Sequence, residues 1–392
     1  MKALIIGAGV CGPVTAMALN RAGVHAVVYE AHQQSTTDVG SYLTVATNGL
    51  RALAALDAHT PVLDAGFPTP RTVLLSGSGK CLGTAPIGST QDERFVSRTI
   101  KRAHLHHALQ DQAVSWGVSI QHGKRLVGAE STATDVVAHF DDGSDARGDL
   151  LIGCDGVHSI TRRLVDPAAP SPRYVGLLNF GGYTPAAAIA PPGAWHMIFG
   201  KRAFFGWVTD PAGGTVWFAN VPRHPISSSE RAATGVEQWK HRLLELFADD
   251  RGPATELIAA GELELAADNT HDLPSVPIWH RDRMIIVGDA AHAPSPSSGQ
   301  GASMAIEDAV VLGNCLRNGR DVHSAFSTFE RLRRARVERI VAYGSRNSST
   351  KAAGPMGRIL RDLALPFVFR YLVSERAMVW MYDHRIEPAS LT

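Results

Sequence analysis

The chain has 392 residues, enough at roughly 150 per domain for two or three compact units. Its 38 lysines and arginines nearly cancel 37 aspartates and glutamates, leaving +1, so no long-range field selects for nucleic acid or an anionic membrane surface. With 45% hydrophobic and 19% charged residues, no apolar run near the roughly 18 that span a bilayer, and four scattered cysteines without a CxxC pair, a globular protein of a reducing cytoplasm is expected.

The first apolar run, Ala3–Ile6, is too short and too soon followed by glycine to be a signal-peptide core, and it reads as a strand. Gly7-Ala8-Gly9-Val10-Cys11-Gly12 follows it, then a helix-like stretch Val10–Ala22, then a second strand Ala26–Tyr29 ending at Glu30. Each part has a physical task. Gly7 makes the tight turn, Gly9 lets backbone approach a pyrophosphate, Gly12 allows close helix packing, and Glu30 holds ribose hydroxyls. Pro13 is tolerated in the first helical turn and Gly23 ends the helix. An acid at this position favours NAD or FAD over NADP.

Further on, Arg71–Ser76 with Gly77, Gly79 and Gly83 reads as a hairpin. Asp149–Ile152 and Met284–Val287 are two more apolar strands ending in glycine, at Gly153 and Gly288, as in a covered parallel sheet. Residues 166–278 change texture to aromatic and β-branched segments cut by Pro and Gly, which suggests an antiparallel sheet. Gly288-Asp289 then leads through His292, Pro294, Pro296 and Gly299-Gln300-Gly301 into a helix, Gly301–Arg317. An aspartate at a strand's carboxyl end suits a sugar-alcohol chain, and the helix N-terminus suits negative charge; a flavin with its ribityl chain uses both. From Val322 the pattern is helical, and the arginines of Phe329–Arg346, interleaved with Glu330 and Glu338, read as a solvated face.

Together these segments resemble the FAD-dependent aromatic hydroxylases, single-component flavoprotein monooxygenases with the p-hydroxybenzoate hydroxylase fold. Three motifs carry the resemblance: the glycine fingerprint with Glu30; Cys154-Asp155-Gly156-Val157-His158-Ser159 through Arg162, similar to the family's DG motif; and Gly288-Asp289 through Gly301, similar to its GD motif. The segment around Arg102 and Leu105 is similar to one whose arginine contacts FAD. Ala31 stands where many members carry arginine, and Ser303 where many carry asparagine. The resemblance is weak over 166–278.

The resemblance implies an α/β fold: a Rossmann-like FAD-binding domain in three pieces (1–70, 96–165 and 279–340), an inserted, mainly antiparallel substrate domain (71–95 and 166–278) and C-terminal helices (341–392), without a further carboxyl-terminal domain. It implies FAD held by Gly7, Gly9, Val10, Cys11, Gly12, Glu30, Ala31, Arg102, Asp155, Gly156, Asp289, Pro296, Gly299, Gly301, Ala302 and Ser303. NADPH or NADH is the transient reductant; with one glycine fingerprint, no separate domain is expected for it. It also implies hydroxylation or epoxidation of an electron-rich aromatic, olefinic or polyketide-like small molecule by O₂ through a flavin hydroperoxide.

Tyr183, Phe199, Phe205, Trp207 and Trp217 are candidates to line the substrate pocket, and His196 is a candidate group acting on substrate. His292 is read as ordering its loop. His104, His106 and His107 carry no metal-ligand spacing, so no metal is expected, and no GxSxG elbow marks a nucleophile. None of the seven tryptophans supplies a WxWxIP halogenase segment. A flavin reductase on the same fold and a non-catalytic flavoprotein that binds a labile metabolite are the alternatives. The apolar stretch Ile359–Ile386, broken by Pro366 and three arginines, is expected to dock on the body or in a dimer contact rather than on lipid. A monomer or homodimer is expected.

Overall fold

A computed structural model of the protein describes residues 1–33, 41–89, 92–351, 362–367, 369 and 375–386. Its first layer is a six-stranded sheet in the order His280–Arg281, Met284–Ile286, Leu150–Gly153, Lys2–Ile6, His25–Glu30, Ser119–His122. All pairings are parallel except that of the first two strands. Ala3, Leu4, Ile5, Leu150, Leu151, Ile152, Ile285 and Ile286 are fully buried, which is why these strands read as unbroken apolar runs. Helix Cys11–Arg21 covers the sheet and lies close against helix Gly301–Asn318, where a Cβ on Gly313 would stand 2.9 Å from that of Ala18. The carboxyl ends of the central strands, at Ile6, Glu30, Gly153 and Ile286, therefore share one edge, the position at which open α/β sheets bind ligands.

The second layer is a seven-stranded sheet in the order Glu262–Asp272, Arg173–Thr184, Thr215–Pro222, Phe204–Thr209, Ala194–Phe199, Arg71–Ser76, Cys81–Pro86. Its pairings are antiparallel but for Ala194–Phe199 with Arg71–Ser76. The stretch 166–278 is not sheet alone: it also forms helix Ser228–Ala233, and helices Val236–Phe247 and Ala254–Ala260 fold back over one face. Trp239, Leu243, Phe247, Leu257 and Ile258 bury that face. The opposite face meets the nucleotide domain, where Trp195 Nε1 donates to Thr99 Oγ1 at 2.9 Å and Tyr42 stacks on Tyr183.

Helix Val322–Lys351 runs along helix Gly301–Asn318. Its arginines do not all face solvent: Arg333 is 1% exposed and Arg336 reaches inward as well, which corrects the reading of a solvated face. Helix Glu375–Tyr382 docks on the body. Arg336 donates to the carbonyls of Trp380 and Met381, and Met381 and Tyr382 are buried against Ala46 and Tyr343. Ile359, Leu360, Arg361, Arg370 and Leu372 lie outside the described residues, among which no helix is long and apolar enough to cross a membrane.

Candidate functional site

The glycine fingerprint turns as its three roles require. Gly7 has φ +101°, and a Cβ there would meet the Cys154 carbonyl oxygen at 2.6 Å. A Cβ on Gly12 would overlap the Gly7 carbonyl oxygen, whereas one on Gly9 would meet no protein atom within 4 Å. The loop is thus packed from below at Gly7 and Gly12 and open above at Gly9, as a backbone that must approach a pyrophosphate needs to be. Glu30 braces it: its carboxylate accepts Ala8 N at 2.7 Å and His32 N at 2.9 Å. Each oxygen keeps a lone pair for a ribose hydroxyl. Ala31 adjoins it, half-buried at the cleft edge, as is Val10, while Cys11 points inward to Thr15 and Ala305.

Arg102, at the start of helix Arg102–Ser115, faces the same cleft and its charge reaches Asp289. One turn later, burial and then the charge of Arg102 hold His106 down at about 4, so this ring is neutral at pH 7. Gln110, one turn further still, donates to Ala8 O at 2.6 Å. The sequence carried no signal for Gln110, because its task depends on where its helix is placed.

In the DG segment the Asp155 carboxylate accepts Ser159 Oγ, Ile160 N, Thr161 N and Thr161 Oγ1 at 2.6–3.0 Å. It caps helix Ile160–Val165 and shapes the turn, leaving Gly156, with φ +76° and open space above it, as the exposed part of the motif. Arg162, 2% exposed, donates to Val157 O and Ala290 O and so ties the DG turn to the GD turn.

The GD segment is held by a buried ionic network. Asp308 accepts Gly288 N at 2.9 Å and bonds His292 Nε2 at 2.5 Å, which bears out His292 as an ordering group. Arg333 bonds Asp308 and Glu307, each at 2.7 Å; Arg336 bonds Glu307; and Asn48 Nδ2 links Glu307 to Gln300. Burial by itself would raise both carboxyl groups, but His292 and Arg333 around Asp308, and Arg333 and Arg336 around Glu307, hold each down to about 2.

Asp289 differs from its neighbours. Its carboxyl is pushed up by desolvation against the pull of His292 and Arg102, yet its side chain is exposed on the cleft and accepts no hydrogen bond from the described residues. The N-terminus of helix Gly301–Asn318 has no side-chain cap, and Asn48 Oδ1 and Gln300 Nε2 beside it are buried without a protein partner. An orphan carboxylate, an uncapped helix start and open space over Gly9 and Gly299 fit the sugar-alcohol chain, ring and pyrophosphate of FAD. Pro296 opens the short turn before Gly299, whose φ is +63°; Gly301 and Ala302 begin the helix. The Ser303 hydroxyl accepts Ala46 N at 3.0 Å and so positions the adjoining segment.

Asp289→Ala separates cofactor binding from folding. The apoprotein does not lose stability in urea, because the Asp289 carboxylate lies exposed on the cleft and accepts no hydrogen bond from the described residues whose loss could weaken the fold. FAD affinity, read by fluorescence titration of the apoprotein, falls by about 10- to 100-fold for loss of a charge-assisted hydrogen bond. Unchanged affinity rejects the assignment.

Strand alternation divides the pocket candidates. Tyr183 and Phe199 lie on the face toward the nucleotide domain, with Phe204, Val208, Phe218 and Asn220. Phe205, Trp207 and Trp217 point the other way into the helix-covered core, where Phe205 meets Phe247 at 5.3 Å; they do not line a pocket at the cleft. His196 is on their side, stacked on Trp207 at 5.1 Å, with burial lowering its pKa, so it does not act on a substrate at the cleft either. Among the described residues no cluster of histidine, cysteine and carboxylate side chains can hold a metal.

Residues 1–343 match the family described as FAD binding domain. The FAD-dependent urate hydroxylase of Klebsiella pneumoniae is 34% identical over 352 residues, covering 87% of this chain and 88% of the relative. The 6-hydroxynicotinate 3-monooxygenase of Pseudomonas fluorescens is 28% identical over 350 residues, covering 86% and 88%. The crystal structure of Klebsiella pneumoniae HpxO complexed with FAD and uric acid superposes with a TM-score of 0.84 at 30% identity, over 98% of this chain and 96% of that one. With the three motifs folded into one cleft and these matches along nearly its whole length, the chain belongs to the FAD-dependent monooxygenases.

Proposed function

We propose that the protein inserts one oxygen atom into a planar, electron-rich aromatic or heteroaromatic small molecule, with NAD(P)H as reductant, in the space between the Pro296–Ser303 segment and the sheet face that carries Phe204 and Phe218. The observation that supports this reading is that the end of helix Val322–Lys351 touches both sides, Ser348 the Ser297 turn before the uncapped helix start and Lys351 the sheet face at Asn220 and Phe204. FAD, when bound, would supply the redox chemistry between NAD(P)H and O₂ that side chains lack. The chain's own residues do the placing. Glu30, Arg102 and Asp289 fix the cofactor, the helix start at Gly301 favours negative charge beside it, and the sheet face excludes water from the substrate. The relatives act on urate and 6-hydroxynicotinate by name, which puts oxidised purines and hydroxylated pyridines first in a substrate screen. Four free thiols, one exposed at Cys81, support the cytoplasm as the working compartment.

The test is substrate-stimulated NAD(P)H oxidation by the holoenzyme with O₂ uptake, and mass analysis of the product. A gain of one oxygen atom per NAD(P)H oxidised is expected. NAD(P)H oxidation that reduces the organic substrate without oxygen gain makes the protein a reductase, and bound FAD with no stimulated oxidation makes it a non-catalytic carrier.

A further inference from the structure

Lys351 closes helix Val322–Lys351, and the mechanism above makes no use of it. One turn earlier, Ser348 hydrogen-bonds Ser295 and lies 3.0 Å from Ser297 Oγ, so the end of this helix is pinned to the segment that leads into the helix start at Gly301. From there the Lys351 side chain crosses to the seven-stranded sheet. Its Nζ donates to Asn220 Oδ1 at 2.7 Å, stands 4.1 Å from the ring centre of Phe204 and 5.7 Å from that of Phe218. Asn220 is held in turn, donating to Asn179 Oδ1 at 2.9 Å. These three partners lie on the face toward the nucleotide domain, where the alternation of Phe204, Gly206, Val208 and of Val216, Phe218, Asn220 puts them.

This is an unusual setting for an ammonium group. An ammonium has three N–H donors, and one is used. Its neighbours are two rings and an amide, and among the described residues no carboxylate lies within ion-pair distance, although most buried cations in proteins are paired. Burial alone pushes the amine down to about 7, so near neutral pH the group gains a proton readily when an anion is placed against it. The rings of Phe204 and Phe218 suit a flat, apolar body beside that charge.

We propose that Lys351 is the charge-reading residue of the substrate cleft, receiving an acidic oxygen of a planar aromatic ring and selecting substrates that bind as anions. The proposal rests on the reading of this sheet face as the substrate side. It fits the chemistry, because an oxyanion on the ring pushes electron density into the carbons that an electrophilic oxygen attacks. It makes Lys351 a specificity residue, and its two spare N–H donors set the register of the ring: the acidic oxygen against Nζ, the ring body across Phe204 and Phe218.

The experiment compares two probes by equilibrium dialysis against the FAD-loaded protein at pH 7.5: 4-nitrophenol, an acidic phenol, and 4-nitroanisole, the same ring with its ionisable hydrogen replaced by methyl. The wild type is expected to hold 4-nitrophenol at least about tenfold more tightly, the effect of one charge-assisted hydrogen bond. Lys351→Met erases the preference while keeping the length and apolar packing of the stem, and Lys351→Arg restores it. FAD content, read from the flavin absorbance of each variant, shows that the cofactor site is intact. A preference that survives in Lys351→Met, or equal retention of the two probes by the wild type, the absence of binding included, overturns the proposal. Oxygen gain in the product is scored separately. Its absence with every substrate defeats the monooxygenase reading, whereas the dialysis ratio reports on Lys351 alone.

Discussion

Gly12→Ala yields a protein that is destabilised and does not retain FAD, whereas Gly9→Ala folds as stably as the parent and loses only the cofactor. At Gly12 the added methyl would overlap the carbonyl oxygen of Gly7, and that backbone cannot yield cheaply. Gly7 N is tied to Tyr29 O at 2.8 Å, Gly7 itself packs on Cys154, and the turn already sits at φ +101°. Overpacking against fixed backbone costs about 2–4 kcal/mol, somewhat above the usual range for side-chain overpacking because no rotamer can relieve it. At Gly9 no protein atom lies within 4 Å, so the methyl changes the apoprotein by no more than about 0.5 kcal/mol. The methyl instead occupies the space into which a pyrophosphate must come, and FAD affinity falls by more than about 100-fold. Urea unfolding of the two apoproteins together with FAD titration separates the effects. Equal stability of the two variants contradicts the packing argument.

Arg333→Leu is the second large effect. Arg333 is 1% exposed and bonds Glu307 and Asp308, both fully buried. Its loss leaves Asp308 with His292 and the Gly288 amide, and Glu307 with Arg336 and Asn48. Removing one partner of a buried ionic network costs about 3–5 kcal/mol. Because Asp308 also holds the turn that presents Asp289, FAD retention falls with stability. The same network predicts an acid dependence. Asp308 and Glu307 sit at about 2 in the fold, below their ordinary 3.8 and 4.5, so the stability they contribute is complete above about pH 5 and is lost as pH falls toward 2. Denaturation midpoints at pH 7 and pH 3 check both points: the variant starts lower and loses less on acidification. A variant with the wild-type acid slope shows that the slope arises elsewhere.

The nucleotide site was legible in the sequence because its chemistry is local. Gly7, Gly9, Gly12 and Glu30 lie within 24 residues, and each is needed for a backbone or charge reason that acts at its own position. The substrate side was not legible. Phe204–Thr209 is buried at every position, so its sequence shows no alternation from which to tell the face toward the nucleotide domain from the face under helix Val236–Phe247. Phe205, Trp207, Trp217 and His196 therefore stand out by residue type alone, and they belong to the helix-covered side. Arg333 and Lys351 failed to stand out for a related reason: in a helix rich in charge, a cation that turns inward looks like its solvated neighbours until the partner element is in place.

The bridge from Arg162 to Ala290 and the pairing of strand Leu150–Gly153 with Met284–Ile286 join segments about 130 residues apart, with the whole seven-stranded sheet save its first hairpin lying between them. On the ribosome the fingerprint emerges early, but neither Asp289 nor the buried ions that hold its turn exist until residues 284–336 have followed. Contacts of such sequence separation form slowly. FAD capture thus waits until the inserted sheet and the start of helix Val322–Lys351 have been synthesised, and a chain released before Arg336 carries a phosphate-binding loop without a cofactor site.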